Sequence, residues 1–325
     1  MLGAIPAALG ALDPGPRVLV VPGALGSGLA FSRASTALGL GADGASWASA
    51  AANLPRFHGT ARRLLIEGSR TNGIRNPLSE GTVAGTPGTT PTNWVVSSSA
   101  NGIARQVVGT GVESGVAYVD IRYSGTATAS GTISIAPEGN TAVAAAVGQT
   151  WTASFFTRVA GGSLSGLTTT LMIRERDTAA ASLGTGSVAV SPGSSLATSR
   201  QTLTRQLNQA ACAFVQSSLN LAYASGAVLD VTLRIGQPGL ELGAFASSPI
   251  APPAGAPAAA TRAADAASLS LSGAVAAQGT LVLRALLPQL AASSLDQGLL
   301  QLDDGTDTNR LVLRNTAGGG RSRRS

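Results

Sequence analysis

The sequence predicts an all-β protein built around an antiparallel β-sandwich. Three observations carry this. Residues 76–262 hold recurrent short runs with a period of two, the alternation that buries one face of a strand and wets the other. Gly 41 and Pro 16 punctuate the chain too often for long helices. Charged residues make up 12% of the 325 residues, against about 25% in an ordinary soluble domain, so the surface relies on Ser, Thr, Asn, Gln and small apolar groups.

The clearest strand is Val228-Leu-Asp-Val-Thr-Leu-Arg-Ile235, in which Leu229, Val231, Leu233 and Ile235 share one face while Asp230, Thr232 and Arg234 share the other. Similar runs are Ala117–Tyr123, Thr150–Arg158 and Thr168–Arg174. Separated by Gly/Ser/Pro loops, they make a sandwich long enough to enclose its own core. Before them, residues 1–75 read as an irregular N-terminal adaptor of short β pieces, with a short helix expected over Ala45 to Ala52. After them, the Pro- and Ala-rich residues 249–262 read as a stiff linker. Residues 263–325 then carry four strand-like runs, within Ala267–Ser272, Gly279–Arg284, Gly298–Leu302 and Arg310–Arg314, about half of a second sandwich. The expectation is an incomplete second β-sandwich, truncated or frame-shifted, ending in a disordered basic tail.

Composition also excludes chemistry. Every one of the 22 basic residues is Arg, and there is one His and one Cys. A Cys/His zinc cage needs about four such ligands, and one Cys makes no internal disulfide. The formal charge of +6 suggests nucleic acid, but Arg321, Arg323 and Arg324 supply half of it in the last five residues. No stripe of arginines interleaved with aromatics follows a phosphate backbone, so no nucleic-acid partner is expected. The apolar start lacks a basic n-region and meets Asp13 and Pro14, and no run spans a bilayer, so neither export signal nor membrane insertion is expected.

Several motifs stand out: Phe31-Ser-Arg-Ala-Ser-Thr36, Asn53-Leu-Pro-Arg-Phe57, Leu64-Leu-Ile-Glu-Gly-Ser-Arg-Thr-Asn72, Gln237–Ile250 and Thr261-Arg-Ala-Ala-Asp265. Together they resemble phage and prophage tail-fibre or head-spike proteins. Between them, Asn76-Pro with Trp94, and Val147-Gly-Gln-Thr-Trp-Thr-Ala-Ser154, are similar to the opening and a Gly-x-x-aromatic strand of carbohydrate-binding modules. The resemblance covers about residues 30 to 265, and implies a jelly-roll sandwich. The C-terminal segment is similar to the start of a concanavalin A-like or laminin-G-type domain. The family implies a virion protein, made in the bacterial cytoplasm, with a repeated or homo-oligomeric assembly, other virion subunits as partners and often a host-surface glycan as receptor.

Candidate residues follow from what each chemistry needs. Sugar recognition combines a flat aromatic face with a few placed polar groups; Trp94, Tyr118 and Tyr123 are the candidates, while Trp151 beside Phe155 and Phe156 reads as core. Asp303, Asp304 and Asp307 offer oxygens for a structural calcium, although their spacing is not that of an EF-hand and a polar hairpin turn accounts for them. Glu241 reads as one half of an ion pair with Arg70 or Arg262. His58 lacks a local nucleophile and reads as a turn residue, and Cys212 as a small apolar filler. A glycan-degrading enzyme needs two acids about 5 to 10 Å apart; Glu175 and Asp177 lie two apart, in a position to share a strand face beside Arg174 and Arg176, but a charged hairpin end explains them equally well. The expectation is a non-enzymatic fibre or spike protein that recognises host glycan or builds the fibre, with a purely structural decoration protein and a tailspike enzyme as alternatives.

Overall fold

Period-two burial organises the sandwich unit as its sequence requires. A computed structural model describes residues 19–270, 282–287, 297–303, 310–315 and 321–324. The chain divides into two units, Met1–Ser270 and Leu271–Ser325.

In the first unit, short N-terminal strands come first: β1 (Val20–Val21), β2 (Ala24–Leu25), β3 (Leu29–Ser32), β4 (Ala37–Leu40), β5 (Trp47–Ala50), β6 (Arg56–His58), β7 (Arg63–Leu65) and β8 (Arg70–Asn72). The sandwich strands follow: β9 (Val95–Val96), β10 (Ile103–Glu113), β11 (Val116–Thr126), β12 (Gly131–Ala136), β13 (Thr150–Ser163), β14 (Leu167–Arg176), β15 (Ser182–Ala189), β16 (Arg200–Gln206), β17 (Phe214–Tyr223) and β18 (Val228–Leu242). β19 (Ala260–Arg262) and β20 (Ala266–Leu269) close the unit.

Two antiparallel sheets carry the core. One runs β10-β11-β18-β13-β16, with β8 joining it at β18 and β19 pairing β8; the other runs β15-β14-β17-β12-β9. Leu229, Val231, Leu233 and Ile235 of β18 turn inward with Val119 and Ile121 of β11, and meet Leu171, Ile173, Leu219, Leu221, Ile133 and Ile135 of the opposite sheet in one buried cluster. Each such side chain contributes about 1.5–3 kcal/mol on burial. The expected all-β antiparallel sandwich is therefore the observed fold.

The N-terminal strands dock on the sandwich. Trp47 of β5 donates its backbone N–H to Ser114 O (2.8 Å) at the β10–β11 turn and its indole N–H to Ala197 O (3.0 Å). Its ring meets Phe156 edge-on at 5.8 Å. The turn residues Ser114 and Gly115 have φ of 48° and 80°, the paired positive values of a tight hairpin turn. A Cβ on Gly115 would lie 1.8 Å from Trp47 O, so this close docking requires glycine.

Four expectations need correction. Residues 47–50 are the strand β5, paired with β4, rather than part of a helix over Ala45 to Ala52. A helix of eight residues has too few hydrogen bonds to offset its nucleation cost, and tertiary pairing overrides alanine's preference. The Pro-rich stretch from 249 to 262, expected as a stiff linker between domains, is part of the first unit: Ile250 is buried, its carbonyl accepts from Asn72 Nδ2 (2.9 Å), and the stretch ends in β19. The run that begins Ala267-Ser-Leu belongs to the first unit, where β20 pairs with β3, so the division falls after Ser270 and not at residue 263. In the second unit, β21 (Gln297–Asp303), β22 (Arg310–Asn315) and β23 (Arg321–Arg324) form a three-stranded antiparallel sheet. The basic tail expected to be disordered thus supplies a strand, satisfying β22's edge. Of the run Gly279–Arg284, residues 279–281 lie outside the described residues, and 282–284 form no strand.

Candidate functional site

Of the three aromatics expected to meet sugar, two face inward. Trp94 is 6% exposed and Tyr123 1% exposed, both within the core cluster. Trp94 donates its indole N–H to Asn76 O (2.9 Å), and the Tyr123 hydroxyl reaches Ser97 O (3.3 Å). Burial pushes the Tyr123 phenol well above its ordinary pKa. The Tyr123 ring is covered because the period of two that makes β11 a sandwich strand sends it to the same side as Ile121. A cavity of about 220 Å³ is lined by Tyr123 and Tyr223 together with Asn101 and Thr132. Tyr118 points the other way, and the Arg234 guanidinium sits 3.6 Å from its ring centroid, covering one face. Arg234 is fixed in turn by Asp120 (2.7 Å) and Glu113 (2.6 Å).

The acids are mostly engaged. Glu241 lies beside Arg200 (3.8 Å), not Arg70 or Arg262, and accepts from Ser247 Oγ (2.6 Å); burial raises its pKa. Glu175 is fully buried against Arg205 and also accepts from the backbone N–H groups of Asn208 and Gln209 (both 2.9 Å). Asp177 caps a turn, accepting from Ala179 N and Ala181 N (both 2.9 Å). His58, expected in a turn, instead ends the strand β6 and accepts the Leu40 N–H of β4 at Nδ1 (3.2 Å), and burial lowers its pKa. Asp303, at the end of β21, is exposed and accepts from Gln301 (2.6 Å); Asp304 and Asp307 lie outside the described residues. Among the described residues no group of three or more His, Cys, Asp or Glu is placed to hold a metal ion.

What the sequence reading missed is the outward face of β17. Val215, Leu219 and Leu221 turn into the core, so Phe214, Gln216, Ser218 and Asn220 share the opposite face. Thr170, Met172, Arg174 and Arg176 lie beside them on β14, and Ser134 on β12 is directly opposite Asn220. The flanking residues are partly exposed, whereas Gln216, Ser218 and Asn220 are 3%, 1% and 3% exposed. The central row is thus the recessed floor of a polar trough.

That floor has unused hydrogen-bonding capacity. Gln216 is satisfied: its Oε1 accepts from Arg176 Nε (3.0 Å) and Nη2 (2.7 Å), and its Nε2 donates to Glu138 O (2.9 Å). Ser218 Oγ and Asn220 Oδ1 are buried without a partner, and Asn220 Nδ2 reaches only the Met172 thioether (3.6 Å). An unpaired buried polar atom costs about 1–3 kcal/mol. Phe214, half-buried at the Arg176 end, adds the one aromatic of this row. The alternation Phe214-x-Gln-x-Ser-x-Asn220 against Val215-x-Ser-x-Leu-x-Leu221 was the available signal. A further cavity of about 450 Å³ is lined by Arg70, Val143, Trp151 and Leu242, but its Arg70 already donates to Leu242 O and stacks on Phe245 (4.7 Å).

No family model and no curated protein matches the sequence. Among solved structures, the chain is similar to a tailspike domain of bacteriophage CBA120 (13% identity, 47% of this chain and 20% of that chain, TM-score 0.29). It is also similar to an arabinose-bound α-L-arabinofuranosidase (16% identity, 54% of this chain and 26% of that chain, TM-score 0.34). A third likeness is to carbohydrate-binding modules of the β-sandwich superfamily (12% identity, 60% of this chain and 67% of that chain, TM-score 0.31). The chain therefore spans about a fifth and a quarter of the first two.

Proposed function

We propose that this chain is a non-enzymatic virion or prophage fibre or spike protein whose sandwich binds host-surface glycan in the trough over β17. The observation that carries the site is the pair of unpartnered, recessed acceptors Ser218 Oγ and Asn220 Oδ1. Saccharide hydroxyls are donors and acceptors in one group, so they match a mixed row of Ser, Asn and Gln better than an apolar ligand does. The virion setting is supported by the family motifs, not by the trough. With a single half-buried aromatic at its edge, the site binds weakly, and a homo-oligomeric fibre recovers strength through multivalency.

Isothermal titration and a glycan array on the oligomeric chain test this. Binding to at least one bacterial surface glycan is expected, weakened about tenfold by the double variant Ser218→Ala/Asn220→Ala, the loss of one or two net hydrogen bonds. No binding at millimolar sugar, or unchanged binding by the double variant, overturns the reading. In that outcome the sandwich is a fibre-building element.

A further inference from the structure

The trough is not electrically uniform. Along β14, Arg174 and Arg176 occupy successive outward positions, at the end of the row where Phe214 and Gln216 lie. Arg176 is held rigidly: two of its nitrogens donate to Gln216 Oε1 and its Nη1 donates to Ala180 O (2.7 Å). All of these acceptors are neutral. Arg174 is partly exposed and makes no hydrogen bond or ion pair among the described residues. Some other arginines on the sheets meet carboxylates: Arg122 meets Asp230, Arg205 meets Glu175, and Arg234 meets both Asp120 and Glu113, whereas Arg105 on β10 reaches only backbone carbonyls. Two guanidinium groups side by side without a counter-charge are mutually unfavourable, and desolvation and the neighbouring Arg174 charge together lower the pKa of Arg176. An anion placed between them removes that penalty.

The dimensions fit one kind of anion. From Gln216 to Asn220 the floor extends four residues, about 13 Å at the rise of a strand, the length of a short oligosaccharide rather than an isolated ion. Phe214 offers an apolar ring beside Arg176, and Ser218 and Asn220 offer hydroxyl partners farther along.

We propose that the trough selects acidic saccharides, with the Arg174 guanidinium pairing with the carboxylate of a uronic or other acid sugar while Ser218 and Asn220 bind hydroxyls of its neighbours. The pairing is bidentate in the manner guanidinium and carboxylate favour. This inference rests on the reading of the trough as a glycan site, and adds the class of glycan.

The test uses the full chain on an array of acidic bacterial polysaccharides, each printed beside its carboxyl-reduced form. At least one acidic polymer is expected to bind about tenfold or more better than its reduced form, the span of one charge-assisted hydrogen-bonded pair. That preference should shrink with added salt. Arg174→Gln should erase the preference yet keep the weak binding to the reduced polymer, with a melting temperature no lower than that of the unmodified chain, because Arg174 has no partner to lose and Arg176 is relieved of a like-charged neighbour. Arg174→Lys should keep a part of the preference. Equal binding to acidic and reduced forms, or a preference that survives Arg174→Gln, overturns the acidic selectivity and leaves the glycan site standing. Binding to neither form of any polymer overturns both.

Discussion

Arg33 and Asp265 stand 232 positions apart in the chain and 3.0 Å apart in space, with both side chains fully buried. The same carboxylate accepts from Arg56 Nη2 (2.6 Å) and from the Glu67 backbone N–H (2.8 Å). Glu67 in turn binds Arg56 (2.8 Å), Arg262 and the Ser248 hydroxyl (2.7 Å). One network thus ties β3, β6 and the strands around β8 to the chain that leaves β18 and re-enters at β19.

Asp265→Asn is expected to destabilise the sandwich unit by about 3–5 kcal/mol, because it leaves two buried guanidinium groups short of one negative charge. For a unit of this size that is a fall in melting temperature of about 10 °C. Differential scanning calorimetry checks it, with Asp43→Asn, an exposed turn residue, as the small-effect control. A fall no larger than the control's means that the network is dispensable.

The acids of this network set an acid limit to stability. Burial alone would raise the Glu67 pKa, but Arg262 and the Ser248 hydrogen bonds outweigh it and hold the carboxyl at about 2, below its ordinary 4.5. A carboxyl depressed on folding contributes stability that is complete above about pH 4.5 and is lost as pH falls through about 2. Its share is about 3 kcal/mol. His58, lowered from 6.5 by burial, acts in the same direction, costing stability as pH falls below 6.5 because only the unfolded chain takes up the proton. Glu241, raised by burial, opposes them: its contribution is present below 4.5 and lost as pH rises through its folded value. Urea melts at pH 7, 5 and 3 should show stability falling toward acid, with a smaller fall between pH 5 and 3 for Glu67→Gln. A flat profile contradicts the network's charge state.

The sandwich was legible because its signal is local. Leu229, Val231, Leu233 and Ile235 declare their face within eight residues, and every one is at most 2% exposed. The network was visible only as fragments: Arg33, Arg56, Glu67, Arg262 and Asp265 all fall inside the motifs that resemble fibre proteins, yet no periodicity links residues about 200 positions apart. Those motifs are now accounted for as the closure of the sandwich unit. The trough was missed for a different reason. Attention to flat aromatics selected Trp94 and Tyr123, whose hydrophobic area made them core. The smaller polar side chains of β17 reveal themselves only once β14 and β12 flank them and recess them.

Glu175 offers the sharpest separation of binding from catalysis. It is the acid that a glycan-degrading reading of the sequence favours, and it lies on β14, whose outward face forms one wall of the trough. Its side chain, however, points to the opposite side from Arg174 and Arg176, is fully buried, and spends both oxygens on Arg205 and two backbone N–H groups. A general acid must reach the glycosidic oxygen, and a nucleophile the anomeric carbon. Glu175→Gln is therefore expected to act on folding: it leaves the partly buried Arg205 and two backbone N–H groups facing a neutral amide and lowers stability by about 3 kcal/mol. Asp177→Asn, at an exposed turn, should change stability by less than about 1 kcal/mol. Neither should alter the reducing ends released from host polysaccharide, which should match the buffer blank for the unmodified chain as well. Release of reducing ends that disappears in Glu175→Gln under conditions where the variant remains folded would make this protein an enzyme.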